Sequence, residues 1–189
     1  MSRITALNPS EASAVAQAML AEVNKKLGMV PNLFKTFAHS SAVLSYYLAG
    51  SEALAGGKLS AALREQIALA SAGSNECDYC ASAHTLIGKG AGLAAGEMAK
   101  NLRASSDDAK TQAALNFVAA IVEKRGRVSS ADLQSVRAAG FGEAEVVEII
   151  ANTAANIFTN YFNHIADTDI DFPLVHTLPQ VPSRSAAVA

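Results

Sequence analysis

The sequence has no tryptophan and only two cysteines among its 189 residues. Two cysteines three positions apart would close a very small loop, so they cannot stabilise a fold as long-range disulfides do, and a redox or metal-binding role explains them better. Charged residues make up 17% of the chain and the net charge is −2. Because there is no basic excess, we expect neither nucleic acid nor an acidic membrane surface as a partner.

Long apolar runs are also missing from the chain. The N-terminal sequence MSRITALNPSEASAV contains no apolar stretch of signal-peptide length after its basic residue. No segment approaches the roughly eighteen uninterrupted apolar residues that a membrane-spanning helix requires. The sequence therefore predicts a soluble, cytoplasmic protein without a membrane partner.

Helical periodicity is the main structural signal. Half of the chain is hydrophobic, and its 12 glycines and 5 prolines fall mostly between periodic segments. No stretch alternates between apolar and polar residues with hairpin turns at its ends. We therefore predict an all-α, multi-helix bundle with no significant sheet. It forms a single domain over residues 1–173, followed by an extended or disordered tail over residues 174–189.

The first helix has clear boundary signals. Asn8, Pro9 and Glu11 have the spacing of a capping box with proline at the first helical position. This pattern predicts a helix that begins there, runs to about Lys26 and stops at Gly28.

Two further helices enclose the only cysteines. Ser60 predicts the start of a helix that ends at Gly73. Asn75 predicts the cap of the next helix, from Glu76 to about Lys89, so that both cysteines would lie within its first turns. The positive end of the helix dipole favours a thiolate at such a position.

The last long periodic segment, from about residue 143 to 165, is apolar on most of its circumference. A helix of this kind lies in the centre of a bundle or in a subunit interface. A chain of this size could cover only part of such a surface, so the sequence predicts a homo-oligomer.

The segment from Glu65 to His84 carries the most chemistry. It contains Cys77 and Cys80 as a Cys-x2-Cys pair, and a helix places Cys80 and His84 on one face because they are four residues apart. A neighbouring imidazole and a helix N-terminus both favour the thiolate form of a cysteine. A thiolate can attack a peroxide oxygen, and the resulting sulfenic acid condenses with a second cysteine to form a disulfide.

The roles of the two cysteines remain open at this point. Cys80 shares a face with His84, so we assign Cys80 as the attacking and Cys77 as the resolving sulfur. The reverse is also consistent with the sequence, because Cys77 lies nearer the helix start, where the dipole is stronger. Glu65, on the preceding helix, would orient His84 or relay its proton.

A weaker pattern repeats the same spacing near the C-terminus. The sequence Glu148-x11-Asn160-x2-Asn163 matches Glu65-x11-Cys77-x2-Cys80, although the intervening residues barely agree. We interpret this as support for stacked helical hairpins only. The asparagines, together with His164, are expected to make structural hydrogen bonds inside the bundle.

Other interpretations compete for each of these residues. Cys77, Cys80, His84 and Glu65 could supply four zinc ligands, although the spacing is tight for a tetrahedron. The cysteines could also be merely structural, and Glu65 could belong to a surface ion pair on a helix that also carries an arginine. His39 and His176 are assigned no role. Tyr79 is expected to lie close to the thiols.

The pattern Glu65-x11-Cys77-x2-Cys80-x3-His84 resembles the signature of the alkylhydroperoxidase D-like group in the carboxymuconolactone decarboxylase superfamily. The segments MVPNLFKTFAHSSAVLSYYLAG and NYFNHIADTDIDFP are similar to its peroxidase-related branch. The resemblance thus covers most of residues 28–173. Tyr79 departs from the best-known members, which place a second histidine between the cysteines.

The resemblance implies a thiol-dependent peroxidase with an all-α, oligomeric fold. Cys80 would become the sulfenic acid and Cys77 would resolve it, while Glu65, Cys77 and His84 would form a proton relay. It further implies a hydroperoxide substrate, a dithiol reductant such as a lipoyl or thioredoxin-like protein, and a homo-trimer or hexamer. We expect no metal or organic cofactor.

Two other classes of function remain open. The chain could be a non-redox member of the superfamily that uses Glu65 and His84 as acid and base in decarboxylase-like chemistry. The decarboxylases generally lack the cysteine pair, which argues against this. It could also be a thiol redox sensor that forms a disulfide without turnover.

Overall fold

Serine and aspartate caps set many of the helix starts in this protein, of which a computed structural model describes residues 2–177. Side chains of Ser13, Ser40, Ser60, Asp108 and Ser129 each accept a hydrogen bond from a backbone N–H in the first turn of the helix that follows. Within residues 2–177 the regular structure is entirely helical, which confirms the predicted all-α class. The helices are α1 (Ala14–Leu27), α2 (Asn32–Phe37), α3 (Ser41–Ala55), α4 (Ala61–Ser74), α5 (Asp78–Gly90), α6 (Ala95–Asn101), α7 (Ala109–Glu123), α8 (Ser130–Ala138) and α9 (Glu143–Ala166).

The predicted start of the first helix is wrong by about five residues. The capping box at Asn8 exists, but it closes only a short 3-10 turn over Pro9–Glu11. The backbone then becomes extended at Ala12, and α1 begins at Ala14 because the Ser13 side chain provides a second, independent cap. The predicted end is confirmed: Gly28 lies in the left-handed region with φ 73°.

The junction between α4 and α5 also differs from the prediction. Asn75 ends α4, and its side-chain amide donates to the Ser71 carbonyl oxygen instead of capping the next helix. Glu76 then takes a left-handed conformation with φ 57°. Helix α5 therefore starts only at Asp78, with Cys77 at its N-cap position.

Helix α4 lies at the centre of the bundle, where it packs against α5, α7 and α9. Its small C-terminal residues permit a close approach to the end of α6. A Cβ atom added to Gly73 would lie 1.7 Å from the carbonyl oxygen of Leu102, so only glycine fits at this contact. Two apolar clusters result. One joins α1, α2 and α3 to the start of α5, and the other joins α4 to α7, α8 and α9.

After α9 the chain turns at Asp167 and runs back along α5 without regular secondary structure. We call residues 168–177 the C-terminal arm. Its Val175 N–H donates to the Ser82 hydroxyl of α5 at 2.9 Å. The predicted tail over residues 174–189 lies outside the described residues from position 178 onward.

Within residues 2–177, no helix combines the length and the apolar character needed to cross a bilayer.

Candidate active site

Helices α4 and α5 bring together the four residues that the sequence singled out. Oε2 of Glu65, on α4, lies 2.8 Å from Nδ1 of His84, on α5. Both side chains are largely buried, with 16% and 18% of their surface exposed. Glu65 thus pairs with the predicted histidine and not with an arginine of its own helix.

Cys77 and Cys80 are free thiols, and both are almost completely buried, with 1% and 3% of their surface exposed. They interact with each other, and this interaction separates their pKa values. The pKa of Cys80 is lowered to about 6, mainly by the hydrogen bond from Cys77. Burial opposes this shift, and the charge of His84 adds to it. The same hydrogen bond, together with burial, raises the pKa of Cys77 far above its usual range. This interaction therefore favours the thiolate at Cys80 and the protonated thiol at Cys77.

The pKa of His84 is also raised. Burial alone would favour the neutral imidazole, but the charge of Glu65, the hydrogen bond to its carboxylate and the charge of Cys80 outweigh it. Because Glu65 is an acceptor, the Nδ1 atom of His84 carries a hydrogen. Nε2 remains available for proton exchange at the site.

Helix α9 supplies two site residues whose role the sequence analysis missed. Nδ2 of Asn163 donates a hydrogen bond to Sγ of Cys80 at 3.3 Å. Asn160 lies beside the same sulfur and also lowers the pKa of Cys80. The only sequence signal for these two residues is the repeated Glu-x11-Asn-x2-Asn spacing, which by itself indicates stacked helical hairpins.

Asp78 and Tyr79, the two residues between the cysteines, hold the C-terminal arm. The Tyr79 hydroxyl accepts from the Leu33 N–H and donates to Oδ1 of Asp171, each at 3.0 Å. Burial, and to a smaller extent the charge of Cys80, raises the pKa of the Tyr79 phenol, which agrees with the predicted position of Tyr79 close to the thiols. His176, which was assigned no role from the sequence, makes a contact here: its Nδ1 lies 2.7 Å from Oδ2 of Asp78.

Two histidines that the sequence left aside make backbone contacts. Nε2 of His164 lies 3.3 Å from the carbonyl oxygen of Glu76, at the turn before Cys77. Nε2 of His39 lies 2.9 Å from the carbonyl oxygen of Thr5, far from the site. Both contacts are structural.

The geometry of the described residues does not favour the alternative of a zinc site. Within residues 2–177, no group of three or more His, Cys, Asp or Glu side chains is arranged to hold a metal ion. Cys77, Cys80, His84 and Glu65 therefore do not form the four-ligand set that a structural zinc site needs.

Comparison with known proteins finds a family profile that covers this site. The profile of the carboxymuconolactone decarboxylase family matches residues 42–124, which include α4, α5 and all four residues. No curated protein sequence matches significantly.

Solved structures provide a broader match. An alkylhydroperoxidase D core, described as a peroxidase-related protein from Ralstonia eutropha, superposes with a TM-score of 0.82 and 25% identity, covering 90% of this chain and 92% of that one. A peroxidase-related protein from Silicibacter gives a TM-score of 0.76 and 24% identity over 88% of this chain and 92% of that one.

A third similar structure is the debrominase Bmp8, whose complex with 2,3,4-tribromopyrrole is known for a variant. Its TM-score is 0.77 with 20% identity, covering 89% of this chain and 91% of that one. This likeness shows the shared fold. The all-α fold, the Glu65-x11-Cys77-x2-Cys80-x3-His84 cluster, the family profile and the Ralstonia structure support the resemblance of this chain to the alkylhydroperoxidase D-like group of the carboxymuconolactone decarboxylase superfamily.

Proposed function

We propose that this protein is a thiol peroxidase that reduces hydroperoxides with Cys80 as the nucleophile and Cys77 as the resolving cysteine. The observation that supports this most is the pair of buried free thiols, in which Cys80 accepts a hydrogen bond from Asn163 and lies on the helix that carries His84, the partner of Glu65. The hydrogen bond from Cys77 also lowers the pKa of Cys80. A thiolate is the reactive form of cysteine, and a neighbouring thiol is what the second step requires.

In the first step the Cys80 thiolate attacks the terminal oxygen of the hydroperoxide. A sulfur–oxygen bond forms and the oxygen–oxygen bond breaks, so that the alkoxide leaves as an alcohol after taking one proton. His84 is the proposed source of that proton, through Nε2, while Glu65 holds Nδ1. The product on the protein is a sulfenic acid at Cys80.

In the second step the sulfur of Cys77 attacks the sulfur of Cys80. A disulfide forms, the sulfur–oxygen bond breaks, and the hydroxide leaves as water with the proton that Cys77 gives up. The protein has then lost two electrons to the peroxide. A dithiol reductant, such as a lipoyl or thioredoxin-like protein, restores both thiols by disulfide exchange.

Access to the buried sulfurs is proposed to run past the Glu65–His84 pair. The sulfurs themselves are almost fully covered, whereas both members of this pair keep part of their surface exposed. A hydroperoxide that enters there would meet the proton donor and the nucleophile together.

A homo-oligomer is part of the proposal. Helix α9 carries large apolar side chains that remain exposed in the single chain, among them Val147, Ile150 and Ile165. Apolar surface of this kind is typical of an interface between subunits. Light scattering at micromolar concentration should give the mass of a trimer or hexamer, and a monomer would contradict this part of the proposal.

The function can be tested by steady-state consumption of cumene hydroperoxide with dithiothreitol as reductant. The matched control is the same protein after alkylation of both cysteines. We expect many turnovers for the reduced protein and none after alkylation.

The same assay separates the rival functions. Consumption of a single equivalent without turnover would favour a thiol sensor. No consumption at all would leave the acid/base chemistry of Glu65 and His84 as the better explanation and would contradict the peroxidase proposal.

A further inference from the structure

Two asparagine side chains of α9 meet the sulfur of Cys80 in the interior of the protein. Nδ2 of Asn163 donates to Sγ of Cys80 at 3.3 Å. Asn160 lies one turn earlier on the same face and contributes to the low pKa of the same thiol. Asn163 is 4% exposed and Asn160 is 0% exposed, so water does not compete for the hydrogen bonds of these amides.

The orientation of the Asn160 amide is fixed by a neighbour. Its Oδ1 accepts a hydrogen bond from Nδ2 of Asn75 at 2.9 Å. Reversing the Asn160 amide would place two donors against each other, so Nδ2 must point to the other side. That Nδ2 is near enough to Cys80 to lower the pKa of the thiol, but it makes no hydrogen bond of conventional geometry within residues 2–177.

Asn163 has the complementary feature. While its Nδ2 is used by the sulfur, its Oδ1 is buried and has no donor within the described part of the chain. The site thus combines an unused donor on Asn160 with an unused acceptor on Asn163. Buried polar groups without partners are uncommon, and a pair of them beside a reactive atom indicates a ligand that supplies both partners.

A contact nearer the N-terminal end of α9 helps to fix the position of these amides relative to α4. The Glu148 carboxylate accepts hydrogen bonds from the backbone N–H groups of Lys58 and Leu59, at 2.7 and 3.0 Å, just before α4. Gly57 leaves room for the carboxylate, which a Cβ atom there would approach to 2.5 Å. Glu148 therefore anchors α9 to the start of the helix that carries Glu65.

We propose that Asn160 and Asn163 form an amide pair that stabilises the Cys80 thiolate and then binds the oxygen atom that Cys80 takes from a hydroperoxide. In the sulfenic acid, the oxygen would accept from Nδ2 of Asn160 and the hydroxyl hydrogen would donate to Oδ1 of Asn163. The second half of this inference rests on the proposed peroxidase function, whereas the first half does not.

The first half is tested by the rate of iodoacetamide alkylation of Cys80 as a function of pH, followed by peptide mass spectrometry. The variants are Asn160→Leu and Asn163→Leu, with Asn160→Ala and Asn163→Ala as smaller replacements. Asn156→Leu is the matched control, because Asn156 lies on the same helix but donates only to the carbonyl oxygen of Asn152.

We expect the pH midpoint of alkylation to rise in the Asn160 and Asn163 variants and to stay unchanged in the Asn156 control. A rise of about one pH unit corresponds to a roughly tenfold lower rate below the midpoint. Unchanged midpoints in variants that keep the circular dichroism spectrum of the wild type would overturn the inference.

The second half is tested in a Cys77→Ser background, in which a sulfenic acid cannot be resolved. After one equivalent of hydrogen peroxide, trapping with dimedone should detect several-fold less sulfenic acid when Asn160 or Asn163 is replaced as well. Equal trapping would overturn the oxygen-binding half. If the background variant itself does not react with peroxide while the alkylation midpoints still shift, the peroxidase proposal fails and only the thiolate half stands.

Discussion

Oε2 of Glu65 lies 2.8 Å from Nδ1 of His84, across two helices and 19 positions of sequence. This contact fixes the imidazole ring and favours its charged form, which in turn favours the negative charge on Cys80. One carboxylate thus influences the thiol without touching it.

Replacing His84 by alanine should therefore slow the reaction of Cys80 with peroxide. Removal of the imidazole should raise the pH at which the thiolate forms, and it also removes the proposed proton donor for the alcohol. Loss of a general acid typically costs about a hundredfold or more in rate. Stopped-flow mixing of each reduced variant with peroxide measures this directly.

Glu65→Gln is the graded control for that experiment. Glutamine can still accept from Nδ1 of His84, but it no longer favours the imidazolium by its charge. We expect a smaller loss of rate than in His84→Ala and an unchanged position of Cys80. A rate equal to that of the wild type in both variants would remove these residues from the reaction.

The pH dependence of alkylation gives a second prediction. Because the pKa of Cys80 is lowered to about 6, its reaction with iodoacetamide should increase as the pH rises through 6 and level off above it. Cys77, whose pKa is raised, should stay unmodified at neutral pH. Peptide mapping by mass spectrometry identifies the modified residue. Preferential labelling of Cys77 at pH 7 would reverse the assigned roles.

The sequence contained the reactive segment but not all of its surroundings. The short spacing of Cys77, Cys80 and His84 along α5 and its N-cap is a local property, so the sequence could predict that these side chains lie close together. The contact between Asn163 and Cys80 depends on how α9 crosses α5, which no local pattern specifies. The partnership of His176 with Asp78 was missed for the same reason, because 98 positions separate the two residues.

Tyr79→Phe should destabilise the protein although Tyr79 does not take part in the chemistry. Without the hydroxyl, the Leu33 N–H loses its acceptor and Asp171 loses a donor in a largely buried setting. Such a loss costs about 1–3 kcal/mol of unfolding free energy. Urea denaturation measures it, with Tyr46→Phe as control because Tyr46 is 69% exposed. Equal stability of both variants would mean that the contact with the C-terminal arm contributes nothing.

Gly73→Ala tests the close approach of α4 and α6. The added Cβ atom would lie 1.7 Å from the Leu102 carbonyl oxygen, so the backbone must move, at a cost of about 1–3 kcal/mol or more. Gly50→Ala is the control, since no atom lies within 4 Å of its added Cβ. Within α3 that change should stabilise the protein by about 0.5–1 kcal/mol. Thermal unfolding of the two variants should therefore shift in opposite directions.

The predicted helices illustrate the same division between local and non-local information. The cap at Ser60 and the stop at Gly28 were predicted correctly, because each depends on its immediate neighbours. The helix starts predicted at Asn8 and Asn75 were wrong, because a nearby residue provided the cap in the first case and the Asn75 side chain had other partners in the second. Ser13 caps the first helix five residues further along the chain, and the Asn75 side chain donates to Ser71 and Asn160.

The assignment of Cys80 as the nucleophile is tested most directly by mass spectrometry after one equivalent of peroxide, with dimedone present. Wild-type protein should lose two hydrogens as the disulfide forms. Cys77→Ser should carry the dimedone adduct on Cys80, and Cys80→Ser should remain unmodified. An adduct on Cys77 in Cys80→Ser, together with an unreactive Cys77→Ser, would reverse the roles. Unmodified thiols in the wild-type protein would contradict the account as a whole.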